Sequence, residues 1–172
     1  MTEPYGSGFG GGGFWLLYDS KADRYLVIDA RETAPEKISK IVSDGPLAAG
    51  IPGQVAAITY LANHYGTMPL RQTLKAAIHY AKKGFPVNDY YQQLAAQRLT
   101  ALNHSPAASK TFLEHGKVPE LDTIIKQPQL AKLIKLIGKK GRDGFYKGKV
   151  AKTLVKAVVA NGGVWQLKDL QN

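Results

Sequence analysis

Arg31 is the residue of this 172-residue sequence whose position best suits binding chemistry. It comes just after the strand that contains the apolar run over residues 25–28, within the sequence Asp-Ala-Arg-Glu-Thr-Ala-Pro that begins at Asp29. The end of a strand is a rigid position from which a guanidinium can hold a carboxylate through two parallel hydrogen bonds. The alternative is a plain surface pair between Arg31 and Glu32, and the residues alone leave both interpretations open.

The glycine-rich segment over residues 1–13 is a second candidate, since backbone amides in such segments can cradle a phosphate. Phosphate loops, however, follow a strand and open a helix. Here no strand-like run precedes the glycines, and one follows them. The segment therefore indicates a loop that approaches other backbone closely or turns with positive φ.

Metal and thiol chemistry find no support in the sequence. The chain has no Cys, which excludes disulfides, thiolate catalysis and cysteinyl zinc sites. The four histidines are scattered without a carboxylate at metal-ligand spacing, so we expect each at the surface or at a helix end. We predict no metal and no cofactor.

Positive charge is concentrated near the C-terminus of a chain whose net charge is +10. Only Asp143 opposes nine basic residues there: Lys132, Lys135, Lys139, Lys140, Arg142, Lys147, Lys149, Lys152 and Lys156. A solvated helical face is the plain interpretation. The alternative function is a non-catalytic basic helical module that binds anions or nucleic acid. Only Phe145 and Tyr146 lie there to stack on bases, which disfavours nucleic acid.

The element that positions Arg31 is a predicted antiparallel hairpin, formed by apolar runs over residues 14–18 and 25–28 with a polar turn over 19–23. Both runs are apolar on both faces, which predicts a covered sheet. No convincing partner strand follows, and a lone hairpin is marginally stable. We therefore expect the isolated chain to fold poorly and to aggregate through its edges.

The remaining sequence predicts mostly helices. Thr33 is the expected N-cap of a short helix that ends by Ser43. Further helices are expected over residues 54–64, 67–83, 88–102, 105–115, 129–138 and 144–159, with loops over 45–53 and 119–128 and an extended piece over 164–167. The predicted fold class is α+β. A glycine-rich segment and hairpin occupy residues 1–32, and a helical region occupies residues 33–172.

No apolar run approaches the ~18–20 residues of a membrane helix, so we predict no membrane partner. The N-terminus has neither the basic start nor the apolar stretch of a signal peptide. As written, the chain is expected to be cytoplasmic.

A series of motifs runs through the whole chain in a fixed order: Gly-Phe-Gly-Gly-Gly-Gly-Phe from Gly8, Asp-Ala-Arg-Glu-Thr-Ala-Pro from Asp29, Gly-Ile-Pro-Gly-Gln-Val-Ala from Gly50, Tyr-Gly-Thr-Met-Pro-Leu from Tyr65, Gly-Phe-Pro-Val from Gly84, Gln-Pro-Gln-Leu-Ala from Gln127, Gly-Phe-Tyr-Lys-Gly from Gly144, and Asn-Gly-Gly from Asn161 with Leu-Lys-Asp-Leu from Leu167. This order resembles the large subunit of the γ-glutamyltranspeptidase (glutathione hydrolase) family.

The resemblance implies an N-terminal-nucleophile hydrolase fold, in which two stacked sheets lie between helical layers (αββα). It implies a precursor that cleaves itself and a small subunit whose N-terminal threonine attacks the γ-glutamyl amide. The threonine's own amine serves as the base, and the acyl group passes to water or an amino acid. By the same resemblance, Arg31 binds the substrate's α-carboxylate and Glu32 supports it.

This sequence departs from the family pattern at the nucleophile, which the family places in a Thr-His context. No threonine here is followed by His: Thr2, Thr33, Thr59, Thr67, Thr73, Thr100, Thr111, Thr123 and Thr153. We therefore expect an internal part of a large subunit, a single partial domain over residues 1–172 with no catalytic residue and no activity alone. The implied partners are the missing small subunit, in cis or in trans, and a γ-glutamyl substrate such as glutathione. Family members are typically periplasmic or extracellular.

Overall fold

The computed structural model describes residues 6–40 and 42–171. Two compact units are formed by residues 74–135 and by residues 8–73 with 136–171. Arg31 and Glu32 belong to the second of these units. The architecture of each unit is described separately below.

The predicted hairpin is confirmed as two antiparallel strands, β1 (Gly13–Asp19) and β2 (Arg24–Ala30). Leu16 lies opposite Val27 in the register. Within the described residues, this sheet contains no third strand. One face is exposed and strongly apolar, because its large side chains are 50–73% exposed: Phe14, Leu16, Tyr18, Tyr25 and Val27. The covered sheet expected from the sequence is therefore not completed by the described part of this chain.

The expected helix from Thr33 to Ser43 is wrong for the described residues of that segment, which are irregular apart from a turn at Glu36 and Lys37 and a bend at Ser43. Thr33 forms an isolated antiparallel bridge with Ile51 instead. The Thr33 amide donates to the Ile51 carbonyl at 3.2 Å, and the Ile51 amide donates back at 2.7 Å. Pro35 also biases the preceding residue towards extended backbone. Long-range pairing therefore outweighs the local capping signal.

Ten helices follow the hairpin in the described chain. They are α1 (Gln54–His64), α2 (Leu70–Thr73), α3 (Lys75–Lys83), α4 (Asp89–Gln97), α5 (Leu99–His104), α6 (Pro106–Phe112), α7 (Pro128–Lys140), α8 (Asp143–Tyr146), α9 (Gly148–Ala160) and α10 (Leu167–Gln171). A single 3-10 turn (Pro46–Ala48) precedes α1.

The helices predicted over residues 54–64, 105–115 and 129–138 are confirmed, with ends displaced by a few residues in the latter two. The helices expected over 67–83 and 88–102 are each broken by one residue, Leu74 and Arg98. The helix expected over 144–159 is divided at Lys147, whose backbone is extended. No strand forms over the extended piece expected at 164–167, since residues 164–166 are irregular and Leu167 begins α10.

The unit of residues 74–135 is built around Phe85, Val87, Tyr91, Ala95 and Ile125. Two very short strands, β3 (Phe85–Pro86) and β4 (Ile124–Ile125), pair antiparallel beside this core. The sequence predicted a loop over 119–128. It missed β4, because a strand of two residues is too short to show an alternation of apolar and polar side chains.

The unit of residues 8–73 with 136–171 buries the first turns of α1 and the side chains that pack there. Val55 is fully buried, and four later residues join it in the core: Ile137, Phe145, Trp165 and Leu170. No helix in the described ranges has the length and apolar character needed to cross a bilayer.

Candidate functional site

Arg31 lies immediately after β2, where the strand fixes its backbone. Its amide donates a 2.9 Å hydrogen bond to Asp29 Oδ1. Its Nη2 lies 2.9 Å from Glu32 Oε2, and the two side chains are 55% and 24% exposed. About half of the Arg31 side chain is therefore exposed, while its Nη2 is paired with Glu32.

Glu32 is the more buried member of this ion pair. Its Oε2 is buried, and no donor among the described residues reaches it with hydrogen-bond geometry. The 2.9 Å ion pair with Arg31 is thus its main electrostatic support. Its Oε1 faces Gly11 so closely that a Cβ at that position would lie 3.2 Å away.

The glycine-rich segment comes within backbone contact of the end of β2. A Cβ at Gly12 would collide with the Ala30 carbonyl oxygen and lie 3.0 Å from the Arg31 carbonyl carbon. Gly53, which directly precedes α1, also lies against the Ala30 carbonyl, so a Cβ there would collide with the same oxygen. The close-approach interpretation of the glycines is confirmed at Gly12, and residues 13–19 continue from it as a strand rather than a helix.

The start of α1 is capped by remote groups rather than by a side chain at its N-cap, Gly53. The amides of Gly53 and Gln54 both donate to the Gly11 carbonyl, at 3.2 and 3.0 Å. The amide of Ala56 donates to the hydroxyl of Tyr146 at 3.2 Å. The glycine-rich segment and α8 therefore both contact residues 53–56, which lie against the backbone just before Arg31.

Tyr146 is the functional candidate that sequence reasoning missed. Its ring is 2% exposed, and its hydroxyl donates a 2.6 Å hydrogen bond to the carbonyl of Pro52, 94 residues earlier. Arg142 lies over the ring at 4.7 Å from its centroid. Burial raises the pKa of Tyr146, while the Ala56 amide and the Arg142 charge oppose that rise. No local sequence signal indicates such a long-range pairing.

Arg31 borders two clefts in the described chain. The larger, of about 870 Å³, extends from the C-terminal end of β2 to α1, and Pro52, Tyr146 and His64 also line it. His64 stacks on Tyr60 with ring centroids 4.0 Å apart. The smaller, of about 550 Å³, lies on the Glu32 side. Arg31 is thus one of the residues that the two clefts share.

The basic segment near the C-terminus lacks an accessible aromatic platform in the described structure. Phe145 and Tyr146 are each only 2% exposed, so their rings are closed to base stacking. Arg142 is half-buried against Tyr146, and Lys147 lies 3.1 Å from Asp143. The remaining lysines of the segment are exposed, as on an ordinary solvated surface.

The fold of this chain has counterparts among solved structures. It matches the crystal structure of cephalosporin acylase from Bacillus halodurans with a TM-score of 0.83 at 23% identity, covering 98% of this chain and 34% of that chain. This likeness is one of fold alone. The mixed α+β architecture, with its hairpin and mostly helical remainder, is part of an N-terminal-nucleophile hydrolase fold.

Sequence comparison shows which family within this fold the chain belongs to. The Gamma-glutamyltranspeptidase model matches residues 1–172. The chain is 38% identical over 188 aligned residues to the glutathione hydrolase proenzyme of Bacillus subtilis strain 168. It matches the crystal structure of Helicobacter pylori gamma-glutamyltranspeptidase with a TM-score of 0.94 at 29% identity, covering 99% of this chain and 53% of that chain. The chain belongs to the γ-glutamyltranspeptidase family.

The match extends over all of this chain but only part of its relatives. It covers 100% of this chain and 32% of the Bacillus subtilis protein. The chain thus spans about a third of the length of the curated relatives it matches.

Proposed function

We propose that this chain supplies the α-carboxylate-binding corner of an enzyme that hydrolyses glutathione or transfers γ-glutamyl groups. The proposal rests on the exposure, the ion pair and the location of Arg31. Its side chain is half-exposed, its Nη2 is paired with Glu32 at 2.9 Å, its backbone amide is bonded to Asp29, and the residue lines a cleft of about 870 Å³. Such a fixed, planar group suits a carboxylate. Glu32 orients it and lowers the local positive charge.

The threonine nucleophile belongs, in this proposal, to a small subunit supplied in cis or in trans. The exposed hairpin face supports such a partner, since Phe14, Leu16, Tyr18, Tyr25 and Val27 form a large apolar patch. The chain alone is expected to release no glutamate from γ-glutamyl donors. Threonine-independent release by the purified chain would contradict this.

The test joins residues 1–172 to the rest of the Bacillus subtilis relative, in place of its matching segment. Arg31→Ala should lower kcat/KM for a γ-glutamyl anilide by about 10- to 100-fold, mainly through KM, because charged hydrogen bonds to the carboxylate are lost. A 4-aminobutyryl anilide, which lacks the α-carboxylate, should show no such loss.

Arg24→Ala is the matched control, since Arg24 lies at the opposite end of the same strand. The proposal fails if both arginine variants retain the same kcat/KM. It also fails if the chimera folds and is inactive with Arg31 intact.

We further propose that residues 1–172 behave as a single partial domain, with the glycine-rich segment and hairpin over 1–32 and the helical region over 33–172. A single cooperative thermal transition in calorimetry is expected. Two separable transitions would contradict it.

A further inference from the structure

We infer that Tyr146 is a positioning residue for Arg31. Its hydroxyl holds residues 52–56, which pack against the backbone just before Arg31. The inference rests on the proposed function, because it concerns the same corner. Tyr146 lines the larger cleft together with Arg31, Pro52 and Ala56. It holds no substrate group itself.

The first link is the pair of hydrogen bonds made by the hydroxyl. It donates to the Pro52 carbonyl at 2.6 Å and accepts from the Ala56 amide at 3.2 Å. One side chain thereby fixes both sides of Gly53, the N-cap of α1. The phenol is almost fully buried, so water cannot readily replace either bond.

The second link joins this fixed segment to Arg31. Gly53 lies directly against the Ala30 carbonyl, the peptide that precedes Arg31. The Gly53 and Gln54 amides also hold the Gly11 carbonyl, and Gly11 faces the Glu32 carboxylate. A shift of residues 52–56 is therefore transmitted both to the backbone of Arg31 and to the carboxylate that orients its guanidinium.

The third observation is that the ring and the hydroxyl have separable roles. The ring packs against Phe145 with centroids 4.9 Å apart and receives Arg142 on its face. A phenylalanine keeps this packing and removes only the two hydrogen bonds of the hydroxyl. Tyr146→Phe thus tests positioning with little change in core volume.

The experiment uses the chimera described above, with γ-glutamyl anilide as the probe. Tyr146→Phe should raise KM about three- to tenfold with kcat unchanged, because carboxylate binding contributes equally to the ground and transition states. The 4-aminobutyryl anilide should show no change in KM. Combined with Arg31→Ala, the Tyr146→Phe effect should disappear, since the two residues act through one interaction.

Tyr90→Phe is the matched control, because it removes a hydroxyl from a ring that is 53% exposed. An unchanged KM in Tyr146→Phe overturns the inference. A lower kcat with unchanged KM also overturns it, since that result reports loss of folded enzyme. A variant that does not fold overturns it too, because the hydroxyl would then maintain the fold rather than the corner.

A second measurement needs no activity and separates this inference from the proposed function. In the chimera, the Arg31 Nε–H resonance should shift in Tyr146→Phe and remain in place in Tyr90→Phe. An unmoved Arg31 resonance, together with lost amide protection at Ala56, overturns the positioning role. If Arg31→Ala leaves the kinetics of the chimera unchanged while this resonance does shift, the proposed function fails and the structural coupling stands.

Discussion

The indole Nε1 of Trp165 donates a 2.9 Å hydrogen bond to the carbonyl oxygen of Ala49. The bond connects residues 116 positions apart and ties the segment before α10 to the loop that leads into α1. Trp165 is buried and Ala49 is half-buried, so the bond is only partly accessible to water. This contact therefore contributes to the stability of the loop that contains Gly53.

Replacing Trp165 with phenylalanine should lower the free energy of unfolding by about 1–3 kcal/mol, because the Ala49 carbonyl loses its donor and part of the ring volume is lost. Urea denaturation followed by circular dichroism measures this. Trp15→Phe, on the half-buried face of the hairpin, should cost less. Equal losses in the two variants would contradict a specific contribution from the Ala49 hydrogen bond.

Replacing Gly12 with alanine should also destabilise the chain, by about 1–3 kcal/mol, because the added methyl group meets the Ala30 carbonyl. Gly10→Ala is the matched control, since a Cβ there would meet nothing within 4 Å. The control should change stability by less than about 0.5 kcal/mol. Similar midpoints of urea denaturation for the two variants would show that the close approach at Gly12 is not needed.

The free energy of unfolding should fall with rising pH above about 10, where an unfolded tyrosine ionises. Burial raises the pKa of Tyr146 in the folded chain, so the unfolded state loses its proton first and then binds fewer protons. The contribution is complete below pH about 10 and is lost as pH rises through the folded pKa. Denaturant titrations at pH 8 and pH 11 measure it.

Tyr146→Phe should reduce this alkaline loss of stability relative to the unsubstituted chain. The hydrogen bond to Asp23 also raises the pKa of Tyr18, so Tyr18→Phe is a useful comparison at an exposed position. An alkaline loss that is the same with and without the Tyr146 hydroxyl would contradict the assignment.

The exposed hairpin face should cause the isolated chain to self-associate. Leu16 and Val27 lie directly opposite each other and are 73% and 68% exposed. The double variant Leu16→Glu, Val27→Lys places an opposite-charge pair there and should shift sedimentation towards the monomer. Ser20→Glu with Ala22→Lys adds the same charges in the turn and serves as the control. Unchanged sedimentation of the first variant, relative to this control, would exclude the face as the contact.

The parts of this structure that follow from local patterns were predictable from the sequence. The hairpin follows from two apolar runs around a polar turn, and Gly84 ends α3 with a φ of 97° as expected for a helix stop. The position of Arg31 directly after a strand could also be predicted from the sequence. These features depend on neighbours in the chain, and their signals lie within a few residues.

The features that the sequence missed depend on distant partners. Thr33 has a good capping sequence after it, yet its backbone pairs with Ile51. The phenol of Tyr146 has its hydrogen-bond partners at Pro52 and Ala56, which no local pattern connects to it. Phe145 and Tyr146 are the only aromatic residues among the basic ones over 132–156, and their place in the core could not be told from the sequence.

The remote capping of α1 also has a consequence for the order of folding. The first turn of this helix obtains its hydrogen-bond acceptors from Gly11 and from Tyr146, which lies 90 residues beyond Ala56. Contacts of such long sequence separation form slowly, because a large loop must close first. A nascent chain that has emerged only as far as α6 therefore carries an α1 with a frayed beginning, and the corner around Arg31 becomes ordered only after α8 has been synthesised.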